Sequence, residues 1–107
     1  MNYLVVVDDE ESVRRSLKRA LEREGYGVLL AENGDMAIEL IKNRPQGIET
    51  VISDFRMPGK DGLQTLTEVR KLNPEITRIM LTGYATMAYP VSMILVISGF
   101  SFLTSVS

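Results

Sequence analysis

The sequence predicts an α/β domain built on a doubly wound parallel sheet with helices on both faces. Short runs of aliphatic and β-branched residues alternate with segments whose apolar residues recur at helical spacing, the pattern of successive strand–helix–strand units. The strand-like runs also end alike. Leu4-Val5-Val6-Val7 runs into Asp8 and Asp9, Val51-Ile52-Ser53 into Asp54, and Ile79-Met80-Leu81 into Thr82. Ligands of open parallel sheets bind at the carboxyl ends of strands, near the point where strand order reverses. Polar side chains at these ends therefore predict one functional edge.

Tyr3 to Val7 is continuously apolar, as in a strand covered on both faces. Val13, Leu17, Ala20 and Leu21 follow at helical spacing, with Arg14, Arg15, Lys18, Arg19, Glu22 and Arg23 on the other face. Gly25 closes this helix. Val28 to Ala31 is a second strand, and Asn33-Gly34 a turn. Ala37, Leu40 and Ile41 mark a second helix that stops before Pro45. Ile48 to Ser53 is the third strand. Asp61-Gly62 starts a third helix, with Leu63, Leu66 and Val69 facing inward and Asn73-Pro74 ending it. Ile76 to Leu81 is the fourth strand, ending at Thr82-Gly83. Val91 to Ile97 fits a poor helix or a strand, and Gly99 to Thr104 a final strand.

The 107 residues make one small domain, 45% hydrophobic and 24% charged. A net charge of −2 offers no nucleic-acid surface. The absence of cysteine and histidine excludes disulfides, thiol chemistry, Cys/His zinc sites and Ser-His-Asp triads. No basic n-region and apolar h-region precede the first strand, so no secretory signal is visible and the cytoplasm is the expected location. Charge stops at Arg78. Gly83, Pro90 and Gly99 interrupt the uncharged stretch beyond it, whose longest strictly apolar run is Met93 to Ile97, and no membrane span is expected.

Asp8, Asp9 and Asp54 gathered at one edge would repel each other. At an effective dielectric near 20, two charges ~4 Å apart cost roughly 4 kcal/mol. A divalent cation with oxygen ligands relieves that cost, so a Mg²⁺ site with one carboxylate left free to react is the leading expectation. Asp8, Asp9, Glu10 and Glu11 also suit a helix N-terminus. That simpler role does not account for Asp54 and Thr82 at the same edge. Asp61 is expected to cap a helix, and Arg14, Arg15, Lys18 and Arg19 to form a solvated helix face.

With these residues in view, the sequence resembles the receiver domain of two-component response regulators. The resemblance rests on Val5-Val6-Val7-Asp8-Asp9-Glu10, on Ser53-Asp54-Phe55-Arg56-Met57-Pro58-Gly59-Lys60-Asp61-Gly62, and on Leu81-Thr82-Gly83-Tyr84-Ala85. It is clear over residues 1–87, with 88–107 a divergent tail of the same domain. It implies a flavodoxin-like, five-stranded parallel sheet and a signalling module rather than an enzyme. Asp54 would accept a phosphoryl group from a sensor histidine kinase or phosphotransfer protein. Asp9 would ligate Mg²⁺ directly, Asp8 partly through water, and the backbone carbonyl of Arg56 would be a further ligand beside Asp54. Thr82 would sense the phosphoryl group, and a kinase could dock on the first helix.

The tail departs from the pattern. The resemblance implies a lysine followed by proline after the fifth strand, where this chain has Ser105-Val106 after Phe102-Leu103-Thr104. No lysine follows Lys71. Phe102 matches the family's switch aromatic by a loose alignment. The fourth helix is replaced by the uncharged Met87–Gly99 stretch, and the last helix is missing, as a frameshifted or truncated reading frame would produce. Apolar surface on the sheet and first helix should then lie uncovered and favour a homo-oligomer. The alternative function is a degenerate receiver that acts through protein–protein association without phosphorylation-driven switching. Haloacid-dehalogenase-type phosphatases need a second acid two residues after the nucleophile, where this chain has Arg56. Asp8-Asp9-Glu10-Glu11 would repel a flavin phosphate, which excludes FMN.

Overall fold

The computed structural model describes residues 2–44, 46–86, 89–96 and 101–106, with side chains described as far as Leu81. The chain runs β1 (Tyr3–Val7), α1 (Glu11–Arg23), β2 (Gly27–Ala31), α2 (Gly34–Asn43), β3 (Ile48–Asp54), α3 (Gly62–Leu72), β4 (Thr77–Thr86), β5 (Tyr89–Val96) and β6 (Ser101–Val106). The strand order is β2-β1-β3-β4-β5-β6. The first four are parallel neighbours, as expected of a flavodoxin-like sheet. Strand order reverses at β1: the chain moves outward to β2 and then returns past β1 to β3.

Local chemistry sets the boundaries. Gly25 takes a positive φ of 93° just past α1. The Asn33 side chain accepts the Met36 N–H at 2.8 Å, so the expected turn at Asn33-Gly34 is the N-terminus of α2. Asp61 caps α3 in a reciprocal box: its carboxylate accepts Gln64 N–H at 2.8 Å while Asp61 N–H donates to Gln64 Oε1 at 3.0 Å.

The main core joins Val5 and Val7 of β1 to Ala37, Ile38 and Ile41 of α2 and to Leu66 and Val69 of α3. Leu4 and Val6, also buried, alternate onto the opposite face, where α1 packs on β1 and β2. None of α1's residues is fully buried. Val13, Leu17 and Leu21 are half-buried and Ala20 is exposed.

Three expectations are corrected. Leu63 is 51% exposed, while Thr65 is fully buried beside Leu66. The Thr65 hydroxyl donates to the Asp61 carbonyl at 2.8 Å, which satisfies it inside its own helix and lets it occupy the core face. Second, β4 does not end at Thr82-Gly83 but continues to Thr86. Third, the sheet is not five parallel strands: β5 pairs antiparallel with β4, and β6 antiparallel with β5. Only two residues separate β4 from β5, whereas a parallel crossover needs about a dozen. Of the stretch Val91 to Ile97 that fitted either a helix or a strand, Val91 to Val96 are therefore strand, and Ile97 lies outside the described residues. Of the final strand expected at Gly99–Thr104, Ser101 to Thr104 lie in β6, at the sheet edge among the described residues, and Gly99 and Phe100 lie outside those described.

Candidate metal centre

The reversal of strand order brings the acidic residues together. Val7 pairs with Ser53, which places Asp8 and Asp54 side by side at the carboxyl ends of β1 and β3. One carboxylate oxygen each from Asp8, Asp9 and Asp54 lies within 4.8 Å of the other two. Asp8 is buried, Asp54 half-buried and Asp9 exposed. Asp8 is held from several sides. Its N–H donates to Ala31 carbonyl at 3.1 Å, its Oδ1 accepts Glu10 N–H at 2.9 Å, and its carbonyl accepts Arg14 Nη1 at 2.7 Å. Arg14 therefore leaves the solvated face expected of it. Arg15 stays there and pairs with Glu11 at 2.8 Å.

The loop after Asp54 is drawn tight. Phe55 N–H donates to Leu81 carbonyl at 3.1 Å, and Phe55 carbonyl accepts Gly62 N–H at 2.9 Å. A Cβ at Gly62 would overlap the Asp54 carbonyl oxygen, so only glycine lets α3 start this close to the acidic edge. Met57 drops into the core at 8% exposure. Lys60, to which sequence reasoning gave no role, reaches Glu68 at 2.7 Å and Asp35 at 3.1 Å. No local spacing announces this contact, because Asp35 arrives from another helix.

Burial is the main force raising the Asp8 carboxyl above its ordinary range, with Asp54 and Asp9 adding repulsion against the pull of Glu10 N–H. Asp54 is likewise raised, first by burial and then by Asp9, while the neighbouring backbone N–H groups of Phe55 and Arg56 pull it down. Among the described residues, no lysine or arginine side chain pairs with any of the three. The donors are hard anionic oxygens, the ligand type that Mg²⁺ takes, and Asp8, Asp9 and Asp54 would be the residues that hold it. This set fits Mg²⁺.

Thr82 follows Leu81, the register partner of Asp54, so its backbone reaches the same edge; its side chain lies outside those described. Phe102 and Ser105 are not brought there. Both lie on β6, opposite Leu95 and Ser92 of β5, and β5 separates them from β4. Their side chains also lie outside those described. The place expected beside β4 is taken by β5.

A family model of the response regulator receiver domain matches residues 4–104. The chain belongs to this family. Receiver domains are phospho-accepting signalling modules. The chain is 40% identical over 81 residues to the response regulator MprA of Mycobacterium sp. (strain KMS), covering 75% of this chain and 34% of that protein. It is 38% identical over 86 residues to the sensor kinase CckA of Brucella abortus, covering 80% of this chain and 9% of that one. The chain thus spans about a third of the first of these relatives and about a tenth of the second. Among solved structures, it superposes on response regulator TrrA of Thermotoga maritima, in complex with Mg(2+)-BeF, with a TM-score of 0.71 and 40% identity. That match covers 79% of this chain and 72% of the other. The receiver domain of hybrid histidine kinase CckA gives 0.72 at 33% identity, covering 79% of each chain. Among the described residues, no helix is long and apolar enough to cross a membrane.

Proposed function

We propose that this receiver domain accepts a phosphoryl group on Asp54, with Mg²⁺ held by Asp8, Asp9, Asp54 and the backbone carbonyl of Arg56. The donor is the phosphohistidine of a sensor histidine kinase or phosphotransfer protein in the cytoplasm. The observation that carries this is the convergence of three carboxylates without a cationic partner where strand order reverses. An Asp54 carboxylate oxygen attacks phosphorus and the donor's P–N bond breaks. The electron pair leaves with the imidazole nitrogen, and an acyl phosphate remains. Mg²⁺ held by these residues would supply positive charge to offset that on the phosphoryl oxygens. Asp8, fixed by Glu10 and Arg14, keeps its carboxylate aimed at the site. Thr82, one residue past the register partner of Asp54, is the proposed hydrogen-bond partner of the phosphoryl group, a role that the resemblance to receiver domains implies.

Acetyl phosphate tests this without a kinase. With Mg²⁺, the protein should gain one hydroxylamine-sensitive phosphate by intact mass, and with EDTA none. Protein left unlabelled in Mg²⁺ would overturn phospho-acceptance.

The tail favours a second proposal, a receiver that works by association without switching. Ser105 stands where the resemblance implies a cationic lysine, and β6 is remote from Asp54. Thr82 alone would sense the phosphoryl group with one neutral hydrogen bond, worth about 0.5–1.5 kcal/mol, which shifts a two-state population by roughly 2- to 13-fold. Meanwhile the half-buried apolar residues of α1 favour a homo-oligomer in either state. Sedimentation should give the same oligomer with and without beryllofluoride and Mg²⁺. A monomer that dimerises sharply on adding the mimic would show that coupling survives without the lysine.

A further inference from the structure

We propose that Lys60 is a positioning residue for the metal centre: by joining Asp35 of α2 to Glu68 of α3, it fixes the loop that carries the Arg56 carbonyl. This rests on the phospho-accepting function proposed above. The loop from Phe55 to Asp61 has firm ends. Phe55 is bonded to Leu81 and Gly62, Met57 is sunk in the core, and Asp61 caps α3. Between Met57 and Asp61 the chain turns through Gly59, at φ 75°, and Lys60 is the residue there that reaches back to the body of the domain.

Its geometry differs from that of an ordinary surface pair. Nζ lies 2.7 Å from Glu68 Oε1 and 3.1 Å from Asp35 Oδ1, and the Lys60 side chain is only 22% exposed. Its stem runs along the N-terminus of α2, where a Cβ at Gly34 would lie 3.0 Å from Lys60 Cδ and 3.2 Å from Cγ. The absence of a side chain at Gly34 makes room first for the Thr65 hydroxyl, which such a Cβ would overlap, and then for the lysine stem. The hydrogen bond to Glu68, then the one to Asp35, holds the amine's pKa above its ordinary value, so it stays charged. One cation thereby ties two helices to the loop that must present a backbone oxygen to the ion. A carbonyl ligand cannot be tuned by its own side chain, so its position depends on whatever holds the loop.

Lys60→Met keeps the stem and removes the charge; Lys60→Arg keeps the charge. Mg²⁺ titration by calorimetry should show about tenfold weaker binding for Lys60→Met, the usual loss when support behind a ligand is removed. Lys60→Arg should recover most of that loss. The metal-free unfolding temperature should barely move, because Glu68 and Asp35 are 44% and 84% exposed. Glu68→Gln, a milder change at an exposed position, should weaken Mg²⁺ severalfold alone and add little to Lys60→Met. Acetyl-phosphate labelling should slow in Lys60→Met at low Mg²⁺ and recover at saturating Mg²⁺. If wild type and Lys60→Met bind Mg²⁺ equally, the role of Lys60 falls and phospho-acceptance stands. If wild type itself binds no Mg²⁺, phospho-acceptance and the Lys60 proposal fall together.

Discussion

Asp54→Asn should reduce labelling by acetyl phosphate to background while leaving the fold intact. The substitution is nearly isosteric, and the tight contact beneath it, Gly62 against the Asp54 carbonyl, involves only backbone. An amide lacks the anionic oxygen that attacks phosphorus. The neighbouring acids do not replace it. Asp8 is 4% exposed and its Oδ1 is engaged by Glu10 N–H. Asp9 is exposed, but it stands on the segment entering α1 rather than beside the loop from Phe55 to Gly62. Because Asn also removes a metal charge, Asp9→Asn is the control. It should lose labelling at low Mg²⁺ and regain it at high Mg²⁺, since it lacks a ligand but keeps the acceptor. Labelling that persists in Asp54→Asn would move the acceptor elsewhere and sink the assignment.

The features legible in the sequence are those encoded by neighbours along the chain. Apolar runs ending in acids located β1, β3 and their shared edge, and Asp61-Gly62 located the start of α3. In α3, Leu66 and Val69 face the core as their spacing predicts, whereas Leu63, favoured by apolar character alone, is exposed. The buried Thr65 depends on a hydroxyl bond to its own helix that hydropathy does not encode. Arg14 and Lys60 look like solvent cations in one dimension. Their roles need Asp8 and Asp35, which arrive from other elements. The tail was ambiguous for a different reason. Val91 to Ile97 carries no polar period to choose helix or strand, and pairing with β4 decides it for Val91 to Val96.

Removing a carboxylate should stabilise the metal-free protein and weaken its response to Mg²⁺. Asp8 and Asp54 both have carboxyl pKa values raised above the ordinary 3.8, chiefly by burial. Between 3.8 and the raised values, the folded state therefore binds more protons than the unfolded state. The sign follows: without metal, stability falls as pH rises through that window, and the full cost is present at neutral pH. Asp8→Asn removes the charge but keeps an oxygen for Glu10 N–H. At pH 7 without metal it should melt above wild type, and its decline with pH should flatten. Mg²⁺ acts in the opposite direction because it binds only the ionised carboxylates. At a hundredfold excess over Kd it stabilises wild type by about 2.7 kcal/mol. A variant binding tenfold more weakly gains only about 1.4 kcal/mol, which offsets part of its metal-free advantage. Asp9→Ala, which loses an exposed ligand outright, should bind Mg²⁺ at least about tenfold more weakly. Wild-type affinity should fall as pH is lowered through the raised carboxyl values. Melting curves of wild type, Asp8→Asn and Asp9→Ala across pH, with and without Mg²⁺, read all of these effects. Equal Mg²⁺ stabilisation of all three proteins would show that the acidic cluster is not the metal site.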